Sequence, residues 1–390
     1  MSQSFSPSSS SSSSFSSFIP PTRVLMGPGP SDVYPQVLEA LARPTIGHLD
    51  PKFVDLMDEV KQLLQFAFQT NNTLTMPISA PGSAGMESVF VNLVEPGDKV
   101  IVCQNGVFGG RMQQNVQRCG GQAIMVQDKW GEPTDLNKVR ETLQANPDVK
   151  ALAFVHAETS TGVLNDAKAL CQLAKEFDCL SIVDAVTSLG GSELKVDDWQ
   201  IDAIYSGTQK CLSCVPGLSP VSFSDRAIEV IKQRKHPVQS WFLDMDLVMG
   251  YWGRGENQEK STKRAYHHTA PVNSIYALHE SLLILYKEGL QNTHTRHDQN
   301  HLSLKLGLET LGLEFAVEKK YRLPQLNMVR IPVGVNDAEV RNRLLNDFNL
   351  EIGAGLGELA GKVWRIGLMG CSSSQKNIDY CVSSLGAVLD

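Results

Sequence analysis

A lysine follows a short apolar run and a small-residue turn in Tyr205-Ser206-Gly207-Thr208-Gln209-Lys210, and upstream an acid closes the apolar stretch Ile182-Val183-Asp184. Pyridoxal phosphate needs two such groups: an amine to hold its aldehyde and a carboxylate to keep its ring nitrogen protonated. An acid at the end of an apolar strand is costly unless paired, and a protonated pyridine nitrogen is a partner that favours both charged forms. Each residue also has a plainer reading. Lys210 alone suits an exposed strand end, and Asp184 suits a cap on the loop that holds Thr187 and Ser188. Gly82-Ser83-Ala84 falls where a helix begins, and the unpaired N–H groups of a helix start can hold a phosphate or simply be capped. The segment matches neither the dinucleotide glycine pattern nor the Walker pattern. Phe108, within Asn105-Gly106-Val107-Phe108-Gly109-Gly110, is placed to stack on a flat ring or to fill the core.

These residues need elements to position them. Asp50 to Phe68 carries apolar residues at Phe53, Leu56, Met57, Val60, Leu63 and Leu64, the three-and-four spacing of an amphipathic helix. Ala84 to Leu93 reads as a short helix between Pro81-Gly82-Ser83 and Pro96-Gly97-Asp98. Strands are expected at Lys99–Cys103, Gln122–Val126, Val149–Val155, Leu180–Val183 and Ile201–Tyr205, with helices at Phe108–Arg118, Leu136–Leu143 and Ala167–Phe177 between them. Such alternation predicts an α/β fold with a mostly parallel central sheet covered by helices. Thr159, Asp184 and Lys210 then gather beyond the carboxyl ends of strands, where ligands bind in this class. From about Asn273 two long helices, Ser274–Tyr286 and Asn292–Leu311, precede strands at Phe315–Val317, Asn327–Ile331 and Val363–Ile366. The expected organisation is a disordered Ser-rich tail over 1–20, a large α/β domain with an N-terminal arm over 21–275, and a smaller α+β C-terminal domain over 276–390.

Composition narrows the function. The 390 residues suffice for a large core and a second lobe. A formal net charge of −7 disfavours non-specific nucleic-acid binding. The Ser-rich leader has no Lys or Arg before Arg23, unlike basic import leaders, and no long apolar stretch can span a membrane, so a cytoplasmic chain is expected. The eight cysteines form no dense framework; Cys211-x-x-Cys214 has redox or half-zinc spacing but no second such pair, so small free thiols are expected. His267 and His268 lack the further ligands that zinc requires, and no metal is expected.

Taken together, Glu158-Thr159-Ser160-Thr161-Gly162-Val163, Asp184-Ala185-Val186-Thr187-Ser188, Ser206-Gly207-Thr208-Gln209-Lys210 and Tyr266-His267-His268-Thr269-Ala270-Pro271 closely resemble, in order and spacing, the alanine–glyoxylate/serine–pyruvate aminotransferase family of fold type I. The match runs from Leu25-Met26-Gly27-Pro28-Gly29-Pro30 to Trp364-Arg365-Ile366-Gly367-Leu368-Met369-Gly370 and leaves out only the Ser-rich tail. The resemblance implies a pyridoxal-phosphate enzyme that transfers an amino group from alanine or serine to glyoxylate, with small amino acids and 2-oxo acids as its partners. It implies that Lys210 forms the internal aldimine, Asp184 binds the ring nitrogen and Thr159 sits near the phenolic oxygen. Gly82, Ser83, Ala84 and Gln209 would hold the phosphate, joined by Tyr266 and Thr269 from the opposite subunit of a homodimer, while Arg365 would grip the substrate carboxylate. Family members often have His at the place of Ser83 and Trp at the place of Phe108; a Ser backbone N–H still binds phosphate, and Phe stacks without the indole donor. A C–S lyase or cysteine desulfurase is the alternative that uses the same lysine and electron sink, with Cys371 as its most tempting thiol.

Overall fold

The computed structural model describes residues 15–253 and 264–390. Of the expected tail, residues 1–14 lie outside the described residues, while Phe15, Phe18 and Ile19 are exposed.

A seven-stranded sheet forms the centre, ordered Leu74–Ile78, Ser219–Phe223, Ala203–Tyr205, Leu180–Asp184, Ala151–Val155, Lys99–Gln104, Gln122–Gln127. The last five run parallel, and Ser219–Phe223 is antiparallel to both its neighbours. Parallel strands need helical crossovers and are buried on both faces, which is why Ala151–Val155 and Leu180–Asp184 are buried along their whole length. The antiparallel strand was not legible in the sequence because Pro220 reads against a central strand. Pro220 stands opposite Pro77, and its backbone faces Ser206 on the other side, where Ser206 N donates to Pro220 O at 2.7 Å and the Ser219 hydroxyl, in place of the missing N–H, donates to Ser206 O at 2.5 Å.

The helices form largely where periodicity places them. Pro51–Phe68 is capped by Asp50, which accepts from Lys52 N at 2.8 Å, has Pro51 at its first turn, and ends on Gln69 in the left-handed region. Its Phe53, Met57, Val60, Leu64 and Phe68 are buried. Gly82–Leu93, Val107–Arg118, Leu136–Ala145 and Ala167–Glu176 supply further layers. Two expectations change. Ile201–Tyr205 is extended only over Ala203–Tyr205, because Asp202 turns inward to accept from Ser181 N at 2.9 Å and Ser224 Oγ at 3.0 Å. Phe315–Val317 makes a single bridge, Phe315 to Val329, before the chain turns into the 3₁₀ segment Lys319–Tyr321, so no strand forms there.

Two main apolar clusters result. The larger runs through the central sheet and includes Ile275, Leu278, Leu282 and Leu285 of the helix Val272–Glu288. The second joins Leu304, Leu344, Trp364, Ile366 and Leu385 to Met26. The residue-275 division expected from the sequence therefore falls inside Val272–Glu288. The N-terminal pair Val24–Leu25 lies parallel to Leu350–Glu351 and carries Met26 into the second cluster. No helix among the described residues is long and apolar enough to cross a membrane.

Candidate active site

The carboxyl edge of the sheet collects the predicted residues. Gly82 lies four residues after Ile78, Phe108 four after Gln104, Thr159 four after Val155, and Lys210 five after Tyr205; Asp184 is itself the last residue of its strand. Register keeps them together, since Val155, Asp184 and Tyr205 pair side by side.

Asp184 is held from two sides. Its Oδ1 accepts from Val186 N at 2.8 Å and its Oδ2 from the Tyr205 hydroxyl at 2.8 Å. Burial pushes its carboxyl up to about 6, opposed by those two bonds and by the charges of Lys210 and Arg111. Lys210 donates to the Pro28 carbonyl, and burial, reinforced by Arg365, brings its amine down to about 8. A side chain on Gly29, which has φ +104°, would strike the lysine stem, so the N-terminal Gly27-Pro28-Gly29 segment forms the floor under Lys210.

Around this pair, the helix Gly82–Leu93 begins on Pro81 with no side-chain cap, leaving its start turned to the site edge with Ser83 exposed and Ala84 half-buried. Gly82 lies against Ser206 O at 3.5 Å and Gly207 Cα at 3.6 Å for any added Cβ, which ties the helix start to the lysine loop. The Gln209 side-chain oxygen is buried without a hydrogen-bond partner beside Gly207. An amide can turn its NH₂ end to the same place, so this orphaned group and the open helix start suit an anion. On that observation the residues present fit a phosphorylated pyridine cofactor, with Asp184 for its ring nitrogen and Lys210 for its aldehyde.

Thr159 is buried in the tight turn of the hairpin Ala157–Glu158 and Val163–Leu164, where Gly162 has φ +73° and its N–H reaches Glu158 O at 2.8 Å. Arg365, only 8% exposed, donates from Nη1 to Thr159 O at 3.2 Å and from Nε to Ala354 O at 2.6 Å. Phe108 is half-buried, with the Arg111 guanidinium 4.8 Å from its ring centroid. Tyr266 and Thr269 are exposed, the Tyr266 ring resting 5.4 Å from His48.

The histidine pair belongs to this outer segment. His268 Nε2 meets Ser79 Oγ at 2.7 Å, His267 Nδ1 meets His268 Nδ1 at 2.8 Å, and the His267 ring stacks on Trp241 at 4.4 Å. Among the described residues no group of three or more His, Cys, Asp or Glu is placed to hold a metal ion. The Cys371 thiol donates to Asp32 O at 2.9 Å and is pushed up to about 11 by burial, far from thiolate character near neutral pH.

Sequence reasoning passed over Tyr205, which fixes Asp184, and Glu158, which is fully buried. Tyr205 stood in the quoted motif as an ordinary strand residue. A buried aromatic hydroxyl at the strand position paired with an acid is the signal that needs the register to be seen.

Residues 28–380 match the family model of class-V aminotransferases. The chain is 38% identical to the alanine–glyoxylate aminotransferase of Rattus norvegicus, over 95% of this chain and 88% of that one. It is 36% identical to the (S)-ureidoglycine–glyoxylate transaminase of Bacillus subtilis (strain 168), over 95% of this chain and 91% of the other. The chain belongs to the class-V aminotransferases. The crystal structure of an alanine–glyoxylate aminotransferase from Nostoc sp. superimposes on this aminotransferase with a TM-score of 0.93 at 45% identity, covering 96% of this chain and 97% of that one. The fold is therefore that of the fold type I aminotransferases, and the cofactor is pyridoxal phosphate.

Proposed function

We propose that this aminotransferase transfers the amino group of L-alanine, or of L-serine, to glyoxylate, yielding glycine and pyruvate or hydroxypyruvate. The likeness to the Nostoc alanine–glyoxylate aminotransferase carries this reading, and glyoxylate recurs in the names of the Rattus and Bacillus relatives. In this reading Lys210 would hold the cofactor's aldehyde, and its amine, when free, would take the proton from the donor's Cα. An amine brought down to about 8 has a neutral fraction available for that step near neutral pH. Bound pyridoxal phosphate supplies the electron sink. Asp184 would keep that sink strong by holding the ring nitrogen's proton, Phe108 would cover the ring face, and Thr159 would stand beside its phenolic oxygen. Gly82, Ser83, Ala84 and Gln209 hold the phosphate. Arg365 receives the substrate carboxylate with its planar fork, for which a lysine point charge is a poor substitute.

The reading includes a homodimer whose two sites are shared, with Tyr266 and Thr269 reaching the partner's phosphate. Its support is the surface around them: Tyr266 is 63% exposed, Trp241 62% and Leu49 46%, and the contacts of Tyr266 with His48 and of Trp241 with His267 join them into one patch. Product analysis with glyoxylate and each donor tests the reaction: glycine and the matching 2-oxo acid are expected in equal amounts. Absence of glycine with both donors, or sulfide released from cysteine in its place, overturns it.

A further inference from the structure

The helix Val107–Arg118, which carries Phe108, starts without a cap of its own. Gly106 at its N-cap offers no side chain, and the N–H groups of its first turn would stand unpaired inside the protein. Their partners come from fifty residues downstream. Phe108 N donates to Glu158 Oε2 at 3.3 Å and Val107 N donates to Ser160 Oγ at 2.9 Å, while Ser160 passes both its N–H, at 2.9 Å, and its hydroxyl, at 2.5 Å, to Glu158 Oε1. Gly106 is what makes room: a side chain there would collide with the Glu158 carboxyl and come within 2.5 Å of Ser160 Oγ. The neighbouring residue Thr159 holds Arg365 by its carbonyl. A single turn thus touches both the ring-facing helix and the arginine.

We propose that Glu158 is a positioning residue of the transamination, capping the helix that places Phe108 and setting the charge that Arg365 faces as a substrate carboxylate arrives. This rests on the roles given above to Phe108 and Arg365. The titratable and charged groups around the Glu158 carboxyl are Asp184, Tyr205 and Arg365. Burial pushes Glu158 up to about 7, against the bonds from Ser160, so its charge changes in the range where the enzyme works. When ionised, Glu158 supports the charge of Arg365, which burial brings down to about 10 against that support, and opposes a second carboxylate at the same fork. When protonated, it leaves Arg365 to the substrate.

Glu158→Gln keeps the shape and removes both functions, because the amide must turn an NH₂ toward donors and cannot ionise. Relative to the parent enzyme, the cofactor dissociation constant is expected to rise about tenfold, and the circular dichroism of the bound cofactor to change as the stack loosens. The parent's donor KM is expected to rise with pH across about 6 to 8, and this component is expected to vanish in the variant. Gly106→Ala, which displaces the carboxyl without deleting it, should reproduce the loss of cofactor affinity and dichroism, and it serves as the arm to read if Glu158→Gln does not fold. Phe108→Ala and Arg365→Lys are measured beside them. If those two variants weaken cofactor and donor binding as expected while Glu158→Gln keeps the parent's affinity, dichroism and pH profile, or Gly106→Ala keeps the parent's affinity and dichroism, the proposal fails. If Phe108→Ala and Arg365→Lys themselves behave as the parent does, the underlying site reading fails instead.

Discussion

At the carboxyl edge of the sheet, Asp184, Glu158 and Lys210 are enclosed by their own chain, and each polar atom is met by a named donor or acceptor: Val186 and Tyr205 for Asp184, Phe108 and Ser160 for Glu158, Pro28 for Lys210. The segment that carries Tyr266 and Thr269 is the opposite case, with both residues exposed and aromatic neighbours such as Trp241 open beside them. In the first region burial shifts the ionisation of Asp184, Glu158 and Lys210. In the second, Tyr266, Trp241 and Leu49 leave a large apolar area exposed. The difference separates what one chain preorganises from what, in the dimer reading, a second chain must complete.

The sharpest break of that comparison is Lys210→Ala. It is expected to lower turnover by about 10³-fold or more, since both the covalent hold and the Cα base are lost; steady-state rates with alanine and glyoxylate check it, and wild-type turnover would remove Lys210 from the chemistry. Next is the exposed region. Tyr266→Ala with Thr269→Ala is expected to weaken cofactor binding roughly tenfold to a hundredfold by loss of two phosphate contacts. Mixing that double variant with Lys210→Ala subunits, at a cofactor concentration too low to load the double variant alone, should restore some activity, because one of the two mixed sites receives every intact residue. Verified heterodimers without recovered activity would count against a shared site.

Asp184 tests the buried region by pH. Its folded value, about 6, stands above the ordinary 3.8, so without cofactor its contribution to stability is fully present at low pH and lost as pH rises through about 6. Asp184→Asn lacks this dependence. In cofactor-free protein the stability difference between variant and parent should move in the variant's favour by ~2 kcal/mol between about pH 4 and pH 7, read from Tm at each pH; with cofactor bound, the charged ring nitrogen should reverse the preference. The smallest effect belongs to Tyr205→Phe, which removes one donor from a buried carboxylate. Cofactor affinity should fall by about fivefold to tenfold, and an unchanged titration would show that the Tyr205 bond does not tune Asp184.

Much of this site lay open in the sequence, because its parts are local. Lys210 after a strand and a small-residue turn, Asp184 at the end of an apolar run, and Gly82-Ser83-Ala84 at a helix start are each signals within a few residues, and the three-and-four spacing of Phe53 to Leu64 marked its helix in the same way. Alternating strands and helices implied a parallel sheet, and the sheet implied where polar strand ends would meet.

What the tertiary structure decided are the pairings between distant residues. Pro220 reads against a strand at Ser219–Phe223, and only the fold shows the Ser219 hydroxyl standing in at Ser206 O for the missing N–H. Met26 reached the second cluster because Val24–Leu25 lies along Leu350–Glu351. Glu158 read as one acid in a motif until folding set it under Phe108, fifty residues away, and Tyr205 as a strand residue until register set its hydroxyl on Asp184. Chain-local patterns record periodicity and turn chemistry, whereas a hydrogen bond across the fold leaves no period in the sequence. Its partners become known only when burial forces each polar group to find one.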